Sequence, residues 1–146
     1  MDERDVRVVI LDGELPAMNE LINKNRLSPY AGATLKKRAT EEVKRAALLQ
    51  GVGPVKKKVG VHCRWFCKNM RKDPDNTASA VKFILDGLVA AGVLENDGWK
   101  QIGDISHAFF VDKEAPRVEV GLYPFKEPEG FFVKKIRDLF RKFVGE

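Results

Sequence analysis

Asp73, Pro74, Asp75 and Asn76 stand in a row, and side chains of these types at this spacing can do chemistry. A residue before proline is pushed out of the helical region, so Asp73 is expected to be extended. Side chains two apart on an extended segment point the same way, which lets Asp73 and Asp75 converge. Two carboxylates facing one point repel each other unless a proton or a cation sits between them. Hard oxygen donors on a rigid turn suit Mg²⁺, with Mn²⁺ as a substitute. The same residues are also turn formers, and Asp75 or Asn76 would serve as the N-cap of the next helix, a reading that needs no ligand. A second acidic cluster, Glu95-Asn96-Asp97-Gly98, makes Asp97 the candidate third ligand. A helix over 77–91 would be about 22 Å long, and residues 92–97 can retrace about 20 Å. The return is nearly taut, unless the helix starts late or Asp97 serves a second copy.

Cations surround this acidic centre in the sequence. Residues 20–72 carry 14 basic and 3 acidic side chains, a local charge of +11, whereas residues 73–130 carry 5 basic and 11 acidic, a local −6. The basic groups are Arg26, Lys36-Lys37-Arg38, Lys44-Arg45, Lys56-Lys57-Lys58 and the run from Lys68 to Arg71 and Lys72. A positive block beside a carboxylate cluster suits a polyanion footprint, and cations around a metal-carboxylate site are what a phosphodiester substrate requires. A solvated lysine-rich surface is the plain alternative.

Other reactive side chains are weaker candidates. Cys63 and Cys67 on one strand would have Cα atoms about 13 Å apart, too far for a disulfide or a shared ion, so both are expected to be buried thiols. His62 and His107 are single. The chain contains no glycine-rich phosphate loop, no nucleophile elbow and no zinc spacing.

These groups need elements to hold them. A first strand runs from Val6 to Leu11, followed by a short helix from Pro16 with Met18, Leu21 and Ile22. After a polar stretch, Asn23 to Ala33, Thr34 is the expected N-cap of a helix running to about Gln50 with a stripe of Leu35, Ala39, Val43, Ala46 and Ala47. Val55 to Lys68 alternates as a long strand. A helix from Thr77 to Ala91 carries Val81, Ile84, Leu85, Leu88 and Val89, with Gly92 as its C′ residue. Ile105 to Val111 and Val118 to Tyr123 read as strands of a hairpin. The last segment, 129–144, is an amphipathic helix with Phe132, Ile136, Leu139, Phe140 and Phe143 on one side. Alternating strands and helices with a late hairpin predict one α/β (α+β) domain over 1–146, a mixed sheet covered by helices.

The chain of 146 residues is 44% hydrophobic and 32% charged, with a net charge of +5. That balance suits a globular domain with one core. No apolar run approaches a membrane span, and the acidic N-terminal residues do not form a secretory signal. Two cysteines make no disulfide framework, so the cytoplasm is the expected compartment.

Asp73-Pro74-Asp75-Asn76, Lys82, Asp86, Leu88, Ala91-Gly92-Val93 and Asn96-Asp97 together resemble the RusA family of Holliday junction resolvases. Leu15-Pro16, Asn19-Glu20, Arg26, Tyr30-Ala31-Gly32-Ala33 and Lys36-Lys37 resemble its phage and prophage members, so the likeness covers residues 5 to about 123. It implies that Asp73, Asp75 and Asp97 are catalytic, metal-binding carboxylates, that Lys82 is a cation near the substrate, and that Asn76 orients. In two respects the chain departs from the pattern. About three more residues separate Asn76 from Lys82 than in the shortest members, and Asn96 replaces the first acid of the final pair. The expected function is a Mg²⁺-dependent endonuclease making paired nicks in four-way junctions during DNA recombination and repair, as a homodimer and away from membranes. The alternatives are a non-catalytic nucleic-acid-binding module, or a flap or single-strand nuclease with the same ion chemistry.

Overall fold

The computed structural model describes residues 5–127 and 131–145, and for 131–133 the backbone alone. In chain order the elements are β1 (Arg7–Asp12), α1 (Met18–Leu27), α2 (Pro29–Leu49), β2 (Val59–Cys67), α3 (Pro74–Ala78), α4 (Val81–Ala90), β3 (Ile102–Val111), β4 (Arg117–Pro124) and α5 (Phe131–Val144). The strands form one mixed sheet in the order β1-β4-β2-β3. β2 runs parallel to β3 and antiparallel to β4, which in turn runs antiparallel to β1. This is an α+β fold. No helix among the described residues is long and apolar enough to cross a membrane.

The core follows from strand alternation. Val9 and Leu11 of β1, Val59, Val61, Cys63 and Trp65 of β2, and Val118, Val120 and Leu122 of β4 all face one side and are buried. Ala39, Val43 and Ala47 of α2 and Ile84, Leu85 and Leu88 of α4 close over them. Each valine, leucine or isoleucine among them contributes roughly 1.5–3 kcal/mol when fully buried. α2 and α4 approach closely at Gly87, where an added Cβ would stand 2.4 Å from Val43 Cβ. β3 pairs through one edge only, and Ile105 and Phe109 on its helix-side face stay about two-fifths exposed. The helices therefore cover three of the four strands.

Several elements differ from the sequence reading, each for an identifiable reason. The helix predicted with Thr34 as its N-cap begins six residues earlier: Ser28 is the N-cap, its side chain accepting from Ala31 N–H at 3.0 Å, and Pro29 takes the first turn. Proline suits that position because its missing N–H is unpaired there anyway. The polar stretch 23–33 is thus helical apart from Ser28, divided between α1 and α2. β1 and β2 are displaced or shortened at their ends, and residues 55–58 precede the sheet. The helix predicted over 77–91 is two helices, α3 starting at Pro74 and α4 at Val81, with Asp73 rather than Asp75 or Asn76 in the N-cap position. Gly92 does end α4, with φ +77° as a left-handed C′ residue requires.

β3 and β4 are not a hairpin. Residues 112–116 carry the chain past the end of β2, which lies between them, and Asp112 N–H donates to Cys67 O at 2.8 Å. A short connection between two alternating segments is the pattern a hairpin leaves in sequence; here the same length spans one intervening strand. α5 forms where helical periodicity places it, but every described side chain from 134 to 145 is exposed, so it does not cover the sheet. The start predicted at residues 129 and 130 lies outside the described residues.

Candidate functional site

β2 ends at Cys67 and releases a loop that delivers Asp73. Asp73 is extended, with φ −66° and ψ 152°, as its place before Pro74 demands. Asp75 already belongs to the first turn of α3. The two carboxylates therefore do not sit on one extended face, and the convergence expected from strand geometry is replaced by a turn-and-helix arrangement. Asp73 makes no side-chain cap bond. Both carboxylates are exposed, and among the described residues neither is held by an ion pair.

Asn76 is engaged with the protein itself. Its Oδ1 accepts from Asn19 N–H at 3.2 Å, and Ser79 Oγ accepts from Met18 N–H at 3.0 Å while donating to Asn76 O. These bonds fasten the first turn of α1 to α3. Lys72, the residue before Asp73, pairs with Glu20 of α1, and Glu20 also accepts from Ala17 N–H at 3.4 Å. The loop bearing Asp73 is thus tied to α1 on both sides. Glu20 and Ser79 were not singled out from the sequence as site residues, although Glu20 stands three residues after Ala17, the spacing of a capping acid.

Lys82 lies in the first turn of α4. Its Nζ donates to Asp86 Oδ1 at 2.9 Å and stands 3.7 Å from Asp97 Oδ2. The Asp86 hydrogen bond, ahead of the attraction of Asp97, holds the Lys82 ammonium above its ordinary range. The late start of α4 makes the contact with Asp97 possible: a ten-residue helix is about 15 Å long, well within reach of the returning residues 91–97. Asp97 is half-buried and borders a cavity of about 310 Å³ with Trp99 and Asp104. Trp99 is 92% exposed, and no local pattern in the sequence marks it. Asp73 borders a different cavity, of about 430 Å³. The structure brings Lys82, Asp86 and Asp97 together. Among the described residues no three His, Cys, Asp or Glu side chains stand close enough to hold a metal ion.

The basic candidates are dispersed. Arg26, Lys36, Lys37, Arg38 and Arg45 are exposed along α1 and α2, and Lys44 is half-buried. Lys56 and Lys57 are exposed before β2, whereas Lys58 lies over the Phe125 ring at 5.1 Å and 3.6 Å from Glu127. Arg71 is exposed beyond the other end of β2. A nine-residue strand spans roughly 30 Å, so Lys56–58 and Arg71-Lys72 cannot grip the same phosphate. Of the two cysteines, Cys63 is buried and Cys67 only partly so. His62 Nδ1 is 2.7 Å from Ser106 Oγ, and His107 Nδ1 accepts from Trp65 Nε1–H at 2.9 Å. Each histidine thus has its Nδ1 engaged within the sheet.

No protein-family model matches the chain, and no curated protein is significantly similar to it.

Proposed function

We propose that the protein is a metal-dependent, structure-selective DNA endonuclease that resolves four-way junctions by paired nicks, working as a homodimer. The observation that carries this reading is the approach of Asp97 Oδ2 to 3.7 Å from Lys82 Nζ. It joins, across 15 positions of sequence, two of the groups that the resemblance to the RusA family singles out. The exposed carboxylates of Asp73 and Asp75, which no side-chain hydrogen bond or ion pair occupies among the described residues, support it further. Capping would explain these acids without a ligand, yet Asp73 in the cap position makes no capping bond.

The all-oxygen donor set of Asp73, Asp75 and Asp97 fits a hard cation such as Mg²⁺ or Mn²⁺, although the three carboxylates do not stand as a ready-made group. When bound, such an ion supplies an activated water and charge stabilisation on the leaving oxygen. Lys82 adds a positive charge beside the phosphate. The exposed cations of α2, and Lys56 and Lys57, hold the arms through phosphates, which fixes register without reading sequence. Asn76 acts by locking α1 against the turn that bears Asp75. A four-way junction has two equivalent strands to cut, so two copies of the site are required.

The test compares cleavage of a synthetic four-way junction with cleavage of its linear duplex arms in Mg²⁺. The wild-type protein cuts the junction selectively. Asp75→Asn lowers the rate by at least about a hundredfold, while junction affinity measured without a divalent ion is kept or increased, because a charge that repels the phosphate is gone. Cutting by Asp75→Asn at the wild-type rate refutes the ligand assignment. Affinity without cutting in the wild type identifies a binding module instead. Light scattering gives twice the chain mass of 16.4 kDa if the dimer exists, and the chain mass at every concentration and with added junction if it does not. Binding weakens steeply with salt, with a log–log slope of about −0.9 per phosphate contact. A flat salt dependence removes DNA from the basic face.

A further inference from the structure

The cavity beside Asp73 has a second kind of wall. It opens where the parallel strands β2 and β3 end, at Cys67 and Val111, the place where sheets with parallel strands present ligand crevices. Met70, Pro74, Phe109 and Phe110 supply apolar walls, and Asp73 and Lys72 stand at its border. Phe109 and Phe110 lie on opposite faces of β3, as successive strand residues must, so the cavity wraps the free edge of the sheet. Both rings are 40% exposed and Met70 is 84% exposed.

The rings are held in place. Phe110 stacks on Phe66 with centroids 4.8 Å apart and planes at 17°, and Arg64 lies 5.3 Å from the Phe110 centroid. Phe109 stacks on His107 at 6.2 Å. Aromatic surfaces fixed before binding lose little entropy when a flat ligand arrives. Folding alone gives no reason to leave two phenylalanines and a methionine in water around one opening. The cavity also carries a polar group: Asn69 Oδ1 accepts from Arg71 N–H at 3.0 Å, which leaves the Nδ2 hydrogens as donors for a ring carbonyl or ring nitrogen.

The geometry points to a nucleobase pocket: the edge of β3 receives one unstacked base of the branched DNA, next to the phosphate presented to Asp73. This rests on the endonuclease reading and adds to it a contact with a base, where the acidic and basic groups provide only contacts with the backbone. At about 430 Å³ the cavity falls within the usual range for small-ligand sites, roughly 300–1,000 Å³. The exchange point of a junction is where a base can leave its stack most cheaply. A continuous duplex would have to break a pair to fill the same pocket, so the pocket favours branched over linear DNA.

The experiment is a cycle between the protein and one base, with divalent ions withheld so that only binding is read. An abasic residue is moved one nucleotide at a time through the exchange point of a synthetic four-way junction. Wild type, Phe109→Ala, Phe109→Leu and Met70→Ala are titrated against each junction. The leucine variant keeps an apolar side chain on the strand edge without the ring, and Met70 lies in an exposed loop, so either one reports on the pocket if Phe109→Ala folds poorly. Phe109→Ala is expected to bind the intact junction about tenfold more weakly, the usual scale of a base–aromatic stack. At one abasic position that loss disappears. Phe109→Leu shows the same pattern, and Met70→Ala shows it with a smaller loss. Equal losses at every position, or no loss, overturn the pocket. So does conversion of a dimer to a monomer by Phe109→Ala, which would assign this edge to contact between copies. Cleavage in Mg²⁺ is scored separately. Junction cutting without base-specific coupling rejects the pocket and leaves the endonuclease reading standing; coupling without cutting does the reverse.

Discussion

Cys63 and His107 are partners in the β2–β3 register and point to the same side of the sheet, yet their surroundings differ sharply. Cys63 lies beneath the helices and is fully buried, and burial pushes its thiol up to about 12. His107, one strand further out, is half-exposed; burial and then the nearby His62 lower its imidazole from 6.5. The difference marks where the helical layer stops. Inside that boundary each side chain is explained by packing. Outside it, Ile105, Phe109, Phe110 and Val111 remain in water, and beside them the chain delivers Asp73. Apolar side chains are exposed elsewhere too, as at Leu27 and Leu49, but here they follow one another along a single strand that ends beside Asp73.

The comparison is sharpened most by truncating one apolar side chain on each side of the boundary. Ile84 is fully buried against the covered strands, so Ile84→Ala should cost about 2–5 kcal/mol of unfolding free energy. Phe109→Ala removes a larger side chain but one already 40% exposed, and it should cost clearly less. Urea denaturation of both variants measures this. A greater loss for Phe109→Ala would mean that the β3 edge is covered in solution and that the boundary is misplaced.

The covered side is also the part that was legible in the sequence. Val59, Val61, Cys63 and Trp65 alternate, and Ile84, Leu85 and Leu88 recur at helical spacing, so both elements and their buried faces could be predicted from periodicity alone. The boundary could not. Ile105 to Val111 shows the same alternation as a buried strand, and nothing local to it records whether a helix lies above. The β3–β4 arrangement is illegible for a similar reason, since which strand slips between two others is decided by long-range pairing. At the site, Asp73, Asp75 and Asp97 stand out by residue type and spacing and Lys82 by the family resemblance, and the proximity of Lys82 to Asp97 follows once α4 starts late. The engagement of Asn76 and Ser79 with α1 depends on two segments about 60 positions apart and left no local sign.

The next test uses the buried thiol. Its folded-state value of about 12 stands above the ordinary 9.0, so between these limits the unfolded chain gives up a proton that the folded chain keeps. Stability from this group is therefore complete below pH 9.0 and is lost as the pH rises toward about 12, by about 1.4 kcal/mol per pH unit. Cys63→Ala lacks the titration. It starts less stable at neutral pH because of the cavity it leaves, and the gap to wild type should narrow through the alkaline range. A constant gap would show that the thiol ionises in the folded protein, and hence that water reaches the covered face.

The smallest effect belongs to His107 and has the opposite dependence on pH. Trp65 Nε1–H donates to its Nδ1, so the ring accepts at that atom as a neutral imidazole with its proton on Nε2. Protonation would set two N–H groups against each other. With the folded value depressed below 6.5, the unfolded chain takes up a proton first as the pH falls, and stability declines through that range until the folded ring also titrates. Solvent at the open edge screens the charge, so the decline should be much shallower than that of Cys63 at high pH. His107→Gln provides the reference, because its carboxamide oxygen can still accept from Trp65 and does not titrate. Thermal unfolding of the two proteins from pH 7 downward should show wild type losing ground to the variant. If wild type gains instead, the imidazole is charged in the folded protein, and an unrecognised anion must lie against the β3 edge where the boundary places only solvent.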